Sequence, residues 1–131
     1  MNQAPIGKRV AVIGGRFIGM EVACKLAELG KDVSIIDMSE IAKDTNPYLS
    51  KYYKQKLISY GVRLYSNTSV LDITDNGVDI LYLDFPATLN CDTVVLAIGT
   101  KSVNSLADDC RDLGIECLPI GDAKRIGDAL Y

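Results

Sequence analysis

The stretch VAVIGGRFIGMEVACKLAELG, residues 10–30, decides the fold. Residues 9–14 form a short apolar run that ends in glycine, which is typical of a strand buried on both faces of a parallel sheet. Residues 17–29 carry apolar side chains at helical spacing, and Gly30 follows where a left-handed helix cap is expected. The stretch therefore predicts a strand, a tight glycine turn and an amphipathic helix. Such a unit can hold the pyrophosphate of a dinucleotide at the helix N-terminus.

The glycine pattern of this turn departs from the usual G-x-G-x-x-G spacing at one position. Gly14 and Gly19 occupy the first and third glycine positions, whereas Arg16 occupies the middle one. A middle glycine lets the backbone approach the pyrophosphate, and a Cβ atom there crowds the ligand. The arginine either turns its guanidinium outward to pair with a phosphate or fills the site. We expect weak dinucleotide binding, and effective loss of binding is the open alternative.

A carboxylate follows the second predicted strand, residues 32–37. Asp37 ends this strand at about the spacing, roughly 20 residues after the glycine turn, that is expected for the acid that binds the adenosine ribose. Its carboxylate would accept hydrogen bonds from the ribose hydroxyls and repel the 2′-phosphate of NADP. We therefore expect NAD(H) rather than NADP(H). The alternative is a turn that needs glycine only for packing, with Asp37 as a solvated acid.

The rest of the chain extends the pattern to an α/β fold. A helix at 45–61, capped by Asn46, and a strand at 62–66 complete a β-α-β-α-β half of a doubly wound sheet. Alternating residues around Asn76-Gly77 predict a hairpin over 70–84 with both turn residues at positive φ. Further predicted elements are a strand near 87–91, a buried strand at 93–99, a short helix within 100–114, a strand at 115–122 and a helix that begins at 123. We expect a Rossmann-like parallel sheet with helices on both faces and a three-stranded antiparallel β-meander.

Composition narrows the possible functions. The 131 residues carry 48% hydrophobic and 24% charged residues with a net charge of −3, the balance of a globular protein. No apolar run approaches the roughly 20 residues of a membrane helix, and the N-terminus MNQAPIGKR lacks a secretory signal core. We expect a cytoplasmic protein with neither a membrane nor a nucleic acid as its partner, because phosphate backbones require a basic face.

The residue types present also limit the chemistry. The chain has no histidine, so Ser-His and Cys-His pairs and histidine metal ligands are excluded. The four cysteines form no C-x-x-C motif, so we predict no metal site and no catalytic residue. Four reduced thiols are expected, and a Cys110–Cys117 disulfide is the open alternative.

Three motifs together resemble the NAD(P)H-binding domain of two-dinucleotide flavoproteins, the pyridine nucleotide-disulfide oxidoreductase type. They are VIGGRFIGMEVACKLAELGKDVSIIDMSEIAKD at 12–44, CDTVVLAIGTK at 91–101 and IGDAKRIGDAL at 120–130. The last is similar to the NADH:flavin oxidoreductases that include 2-enoate and 2,4-dienoyl-CoA reductases. In the parent protein this resemblance implies hydride transfer from NADH to FAD, and electron transfer onward through an iron–sulfur cluster and FMN to an activated alkene.

The resemblance also implies a domain organisation. Residues 1–131 would be one excised NAD(P)H-binding domain, inactive alone, with a Rossmann core at 5–100. Residues 101–131 would return towards the flavin domain of the parent protein. Asp122 matches an aspartate that holds FAD in the family, a role it cannot have without that domain. The competing hypothesis is a degenerate Rossmann domain, with a structural or interaction role because of Arg16.

The residues that would bind the dinucleotide follow from the family motif. They comprise the phosphate turn and the start of the helix, a glutamate near the nicotinamide, the ribose acid and a glycine after the return strand: Gly14, Gly15, Arg16, Phe17, Ile18, Gly19, Glu21, Asp37 and Gly99. For Glu21 an exposed acid near the helix N-terminus is an equally good explanation.

Overall fold

The computed structural model describes residues 5–126, and the chain divides into two compact units between Ile98 and Gly99. The first unit contains β1 (Arg9–Ile13), α1 (Phe17–Glu28), β2 (Asp32–Ile36), α2 (Pro47–Ser59), β3 (Arg63–Tyr65), β4 (Ser69–Thr74), β5 (Gly77–Tyr82), β6 (Phe85–Asn90) and β7 (Thr93–Leu96). The second unit contains α3 (Ser105–Asp112) and a 3-10 helix (Gly121–Ala123). None of the helices within residues 5–126 is long and apolar enough to cross a membrane.

Four strands form the predicted parallel sheet, in the order β3-β2-β1-β7. β1 lies in register with β2 on one side and with β7 on the other, so Val10 pairs with both Val33 and Thr93. One face of this sheet packs against α1 and α2. The core on this face consists of Val10, Val12, Met20, Ala23, Cys24, Leu26, Val33, Ile35, Ile41, Ala42, Leu57 and Val62.

The other face of the parallel sheet is covered by a second sheet. β4, β5 and β6 form the predicted antiparallel meander. Its Val78 and Ile80 are buried against Ala11 and Ile36 of the parallel sheet. Within residues 5–98, α1 and α2 therefore lie on one face of the parallel sheet and the meander on the other, and the predicted Rossmann-like α/β fold with an antiparallel β-meander is confirmed. Alternating apolar residues on β5 supply the apolar surface that covers this second face.

The helix ends follow the predicted caps. The side chain of Asn46 accepts hydrogen bonds from the backbone N–H groups of Tyr48 and Leu49, and Pro47 is the first residue of α2. Gly30, at φ +76°, ends α1 with two backbone bonds typical of a Schellman motif, Gly30 N–H to Ala27 and Lys31 N–H to Leu26. These bonds satisfy helix carbonyl groups that would otherwise lack donors.

The predicted hairpin is present, but its turn differs from the expectation. β4 and β5 are joined by Asp75 and Asn76, and neither belongs to the described residues with positive φ. Gly77 begins β5 instead, where a Cβ atom would overlap the carbonyl oxygen of Leu89. Two consecutive residues with positive φ, Leu83 (51°) and Asp84 (65°), instead join β5 to β6 in the manner of a type I′ turn.

The prediction of a strand at 115–122 is wrong. Residues 115–120 form no strand, and Gly121–Ala123 form a 3-10 helix. The N–H group of Ile115 donates to the carbonyl oxygen of Cys110 at 2.8 Å, so the segment begins as the end of α3. A strand requires ladder partners, which the apolar content of a segment cannot supply. The helix predicted from residue 123 falls largely on residues 127–131, which lie outside the described residues.

Replacing Leu83 and Asp84 with Asn and Gly should stabilise the chain by about 1 kcal/mol, because left-handed backbone strains both present residues. The free energy of unfolding from urea denaturation measures this effect. The matched control is Asp75→Gly, a similar change in the other two-residue turn of the same sheet. Since Asp75 has no positive φ, that change should be neutral or destabilising. A Leu83→Asn/Asp84→Gly variant no more stable than the parent would contradict the turn assignment.

Candidate functional site

The glycine turn lies where the order of the parallel strands reverses. From β1 the chain proceeds to β2 and β3 on one side of the sheet, and it returns to β7 on the other side. Residues 14–16 follow β1 directly, at the carboxyl edge of the sheet. In open α/β sheets ligands bind in the crevice outside this edge, at such a switch point.

Two glycines allow helix α1 to start directly against the sheet. Gly14 adopts φ +110°, and a Cβ atom on it would overlap the carbonyl oxygen of Ala97 beyond β7. A Cβ atom on Gly19 would overlap the carbonyl oxygen of Gly14. The N-terminus of α1 is therefore fixed above the end of β1.

A loop after β2 holds the glycine turn through Gly15. The N–H group of Gly15 donates to Asp37 Oδ2 at 2.6 Å, and its carbonyl oxygen accepts from the N–H group of Ala42 at 2.7 Å. Buried Ile41 packs beside it, and a Cβ atom on Gly15 would lie 2.7 Å from Ile41 Cγ1. The turn is thus bound on both sides by residues 37–42.

Both carboxylate oxygens of Asp37 accept hydrogen bonds from groups of the protein itself. Oδ2 accepts the Gly15 bond, whereas Oδ1 accepts from the N–H and hydroxyl groups of Ser39 at 2.7 and 2.8 Å. Partial burial by itself would raise the pKa of Asp37. The hydrogen bonds from Gly15 and Ser39 and the nearby Arg16 guanidinium lower this pKa by more than burial raises it. The pKa of Asp37 therefore lies below its ordinary value, and the group is a carboxylate at neutral pH.

Arg16 stands at the N-cap of α1 with its side chain turned to solvent. Its guanidinium lies 3.6 Å from the Asp44 carboxylate, and about two-thirds of each side chain is exposed. Such a surface pair contributes little stability. No side chain caps α1, and its first turn contains no acidic residue. The N–H groups and positive dipole of the helix N-terminus therefore face no carboxylate of the helix itself.

The other predicted residues are distributed around this turn. The ring of Phe17 packs edge-on against Tyr53 of α2, with 5.5 Å between the ring centroids. Ile18 and Glu21 are exposed on α1. Gly99 is exposed at φ +121° and belongs to the second unit. The structure brings together Gly14, Gly15, Arg16, Gly19 and Asp37, and the binding role of all nine residues stays a prediction.

Four residues of this site are absent from the sequence prediction: Ser39, Ile41, Ala42 and Asp44. The Asp-x-Ser pattern was a usable signal for Ser39, because an aspartate commonly accepts a bond from the N–H group two residues on. An apolar Ile41 within a polar loop also indicates a buried contact. No pattern points to Ala42 or Asp44, which adopt positive φ of 69° and 59°.

A groove of about 250 Å³ lies at the opposite edge of the parallel sheet. Arg9, Asp32 and Arg63, the first residues of β1, β2 and β3, are among its lining residues. Arg63 already pairs with Asp32 at 2.8 Å and Arg9 with Asp92 at 3.8 Å, so these charges satisfy one another. Nowhere in residues 5–126 do three or more Cys, Asp or Glu side chains form a group suited to a metal ion. We therefore assign the candidate site to the glycine turn.

Residues 1–125 match the family model described as pyridine nucleotide-disulphide oxidoreductase. The chain is 36% identical over 122 residues to bilirubin reductase of Mediterraneibacter gnavus, which covers 92% of this chain and 19% of that protein. It is also 36% identical over 126 residues to NADH oxidase of Thermoanaerobacter brockii, with the same two coverages.

The fold of this chain also matches part of a reductase of known structure. A 2-naphthoyl-CoA reductase structure superimposes with a TM-score of 0.87 and 26% identity. The match covers 95% of this chain and 19% of that one. This chain thus spans about a fifth of the length of each of these relatives.

Asp37→Asn should destabilise the chain at pH 7 by about 1–3 kcal/mol, because it removes a charged acceptor from Gly15 and Ser39. The pKa of Asp37 is lowered in the folded chain, so its contribution is present above the unfolded pKa, about 3.9. That contribution is lost as the pH falls through the folded value. Urea unfolding from pH 7 to pH 3 measures the effect.

The control for this prediction is Asp109→Asn, which changes an exposed acid of α3 in the same way. It should leave the free energy of unfolding nearly unchanged at each pH. An Asp37→Asn variant whose stability matches the parent at pH 7 would show that the Asp37 bonds do not support the turn.

Proposed function

Because this chain belongs to the pyridine nucleotide-disulphide oxidoreductase family, we propose that it binds NADH as one domain of a longer flavin-dependent oxidoreductase. The glycine turn at the switch point of the sheet carries this proposal, because it joins β1 to a helix N-terminus beside a carboxylate. When bound, NADH supplies a hydride, which FAD of the parent protein accepts.

The turn and α1 would hold the pyrophosphate. Gly14 and Gly19 bring the helix N-terminus to the sheet edge without an intervening side chain. The uncapped N–H groups of the first helical turn would then donate to phosphate oxygens. Arg16 limits this interaction, because its Cβ atom occupies the position where glycine admits the ligand. The guanidinium pairs with Asp44 at the surface, and the steric effect of the Cβ atom alone leads us to propose weak binding.

Asp37 would select the nucleotide through one remaining lone pair. A carboxylate has about four lone-pair sites, and Gly15 and Ser39 occupy three of them with one bond to Oδ2 and two to Oδ1. Oδ2 can therefore accept from one ribose hydroxyl. The negative charge would repel a 2′-phosphate at the same place, which favours NADH over NADPH.

The parent protein would pass the electrons to an activated alkene. The motif IGDAKRIGDAL at 120–130, similar to the 2-enoate and 2,4-dienoyl-CoA reductases, supports this proposal. The similarity to a 2-naphthoyl-CoA reductase is consistent with it. The electron acceptor and its binding site would belong to other domains.

The second candidate is a degenerate domain with a structural or interaction role. Two observations favour it: Arg16 in the middle glycine position, and an Asp37 carboxylate that already has three protein donors. Calorimetric titration of this chain with NADH separates the two candidates. Saturable heat supports the binding module, whereas no heat at millimolar NADH supports the degenerate domain.

Arg16→Gly should strengthen NADH binding by about tenfold, about 1.4 kcal/mol, because it restores close approach of the backbone to the pyrophosphate. The same titration, carried out on parent and variant, provides the measurement.

Two controls separate the Cβ atom from the guanidinium. Arg16→Ala keeps the Cβ atom and should remain close to the parent in affinity. Asp44→Asn removes the ion pair, keeps a residue type that tolerates the positive φ at this position, and should leave the affinity nearly unchanged. Weaker binding by both Arg16→Gly and Arg16→Ala would identify the guanidinium as a phosphate ligand and contradict the steric explanation.

Asp37→Ser should reduce the ratio of NADH to NADPH affinity, because it removes both the ribose acceptor and the charge that repels a 2′-phosphate. The lost charged hydrogen bond corresponds to about 1.5–3 kcal/mol for NADH. Paired titrations with both nucleotides measure the ratio. Ser39→Ala, which keeps the carboxylate, is the matched control and should retain the preference of the parent. An unchanged ratio in Asp37→Ser would remove Asp37 from the selection of the nucleotide.

A further inference from the structure

The turn that follows β3 holds the backbone of Asp37 from both sides. β3 ends at Tyr65, and residues 66–68 connect it to β4. The N–H group of Asp37 donates to the carbonyl oxygen of Tyr65 at 2.9 Å, and the carbonyl oxygen of Asp37 accepts from the N–H group of Thr68 at 2.9 Å. Thr68 is buried, and its hydroxyl group donates to the carbonyl oxygen of Ser66 at 2.9 Å, which fixes the turn itself. The position of Asp37 therefore depends on this turn.

The same turn also binds the loop that carries the partners of the Asp37 carboxylate. The N–H group of Asn67 donates to the carbonyl oxygen of Ser39 at 3.0 Å. The hydroxyl oxygen of Ser66 accepts from the N–H group of Ile41 at 3.1 Å. Ser39 is the residue that donates twice to Asp37 Oδ1. Displacement of the turn would thus move Ser39 and change the direction of the carboxylate.

Asn67 determines the backbone conformation of this turn. It adopts φ +51°, in the left-handed region that asparagine and glycine tolerate and that β-branched residues avoid. Its side chain is exposed and makes no hydrogen bond or ion pair within residues 5–126. A substitution at this position therefore changes the turn without removing a polar side-chain contact.

We infer that the turn at 66–68 positions the Asp37 carboxylate, with Asn67 and Ser66 as positioning residues, and thereby sets the preference for NADH at the glycine turn. The second part of this inference rests on the proposed function. Both residues act through Ser39 and Ile41, the residues of the loop to which they are bonded. When the carboxylate keeps its three protein donors, one lone-pair site of Oδ2 would remain for a ribose hydroxyl.

The first test compares two substitutions at position 67. Asn67→Val places a β-branched residue at positive φ and should distort the turn, whereas Asn67→Gly adopts the same backbone without strain and is the matched control. In Asn67→Val the pKa of Asp37, measured by NMR titration of its carboxyl carbon, should rise towards its ordinary value, because the hydrogen bonds from Ser39 weaken. In Asn67→Gly this pKa should equal that of the parent.

Titration of the same variants with NADH and NADPH measures the consequence for recognition. Asn67→Val should reduce the ratio of NADH to NADPH affinity by about fivefold, the effect of one ordinary hydrogen bond. The reason is that only NADH would use the carboxylate as an acceptor. Asn67→Gly should retain the ratio of the parent. A residue that merely supports the fold would lower the free energy of unfolding without changing the pKa of Asp37 or the ratio.

Position 66 provides a second pair of variants, which decides the inference if circular dichroism shows that Asn67→Val is unfolded. Ser66→Ala removes the acceptor of the Ile41 N–H group, and Ser66→Thr keeps a hydroxyl oxygen there. The alanine variant should raise the pKa of Asp37 and lower the ratio of affinities in the same direction as Asn67→Val. The threonine variant should restore both to the values of the parent.

The two measurements separate this inference from the proposed function. If the parent chain gives no saturable heat with NADH, the proposed function fails, and the pKa of Asp37 alone decides whether the turn positions the carboxylate. An unchanged pKa of Asp37 in folded Asn67→Val, or in Ser66→Ala, would overturn the positioning role. A raised pKa with an unchanged ratio of affinities would overturn the effect on nucleotide selection.

Discussion

The contact between the start of α1 and the end of β1 is the constraint on which the rest of this structure depends. Gly19 lies against the carbonyl oxygen of Gly14, and Gly14 lies against that of Ala97. A Cβ atom on Gly19 would push the helix away from the turn, and one on Gly14 would displace the chain that follows β7. The helix residues that fill the core, Met20 and Ala23 among them, would then lose their packing. The same contact directs the N-terminal N–H groups of the helix to the carboxyl edge, so core packing and the candidate site have one common cause.

The loop at 37–42 links this constraint to the second strand. Through Asp37 and Ala42 it satisfies both backbone groups of Gly15, and its Ile41 side chain closes the core beneath the turn. The Asp37 carboxylate orders the turn, and in the proposed function its remaining lone pair would also accept a ribose hydroxyl. Pre-ordering reduces the entropy that a ligand would otherwise lose on binding. Under that proposal, substitution of Asp37 would affect stability and recognition together, whereas Ser39→Ala keeps the carboxylate and would separate the two effects.

The sequence patterns predicted correctly those features of the fold that depend on interactions between residues close in sequence. Helix caps, the central parallel strands and the existence of the hairpin follow from Asn46, Gly30 and the apolar runs, because short-range bonds and burial decide them. The layer on the second face was not predictable, since alternating residues on β5 show only that one side is buried and not what buries it. The turn at Leu83 and Asp84 uses residues that rarely adopt positive φ, so tertiary packing overrides propensity there. At 115–120 the apolar content predicted a strand, but no ladder partner is present in the described chain.

The position of Arg16 explains how the fold persists while the glycine pattern is broken. The backbone of Arg16 has φ −82° and ψ −170°, an extended conformation that any residue adopts. Its side chain lies mostly in solvent beside Asp44. Gly14, by contrast, requires positive φ, and Gly19 requires the absence of a Cβ atom against the turn. Of the three glycine positions of the pattern, the middle one is therefore the position that the fold itself does not need. An arginine there would therefore affect only a ligand that approaches the turn from outside, and under the proposed function the stability of the domain and its affinity for a dinucleotide would change independently.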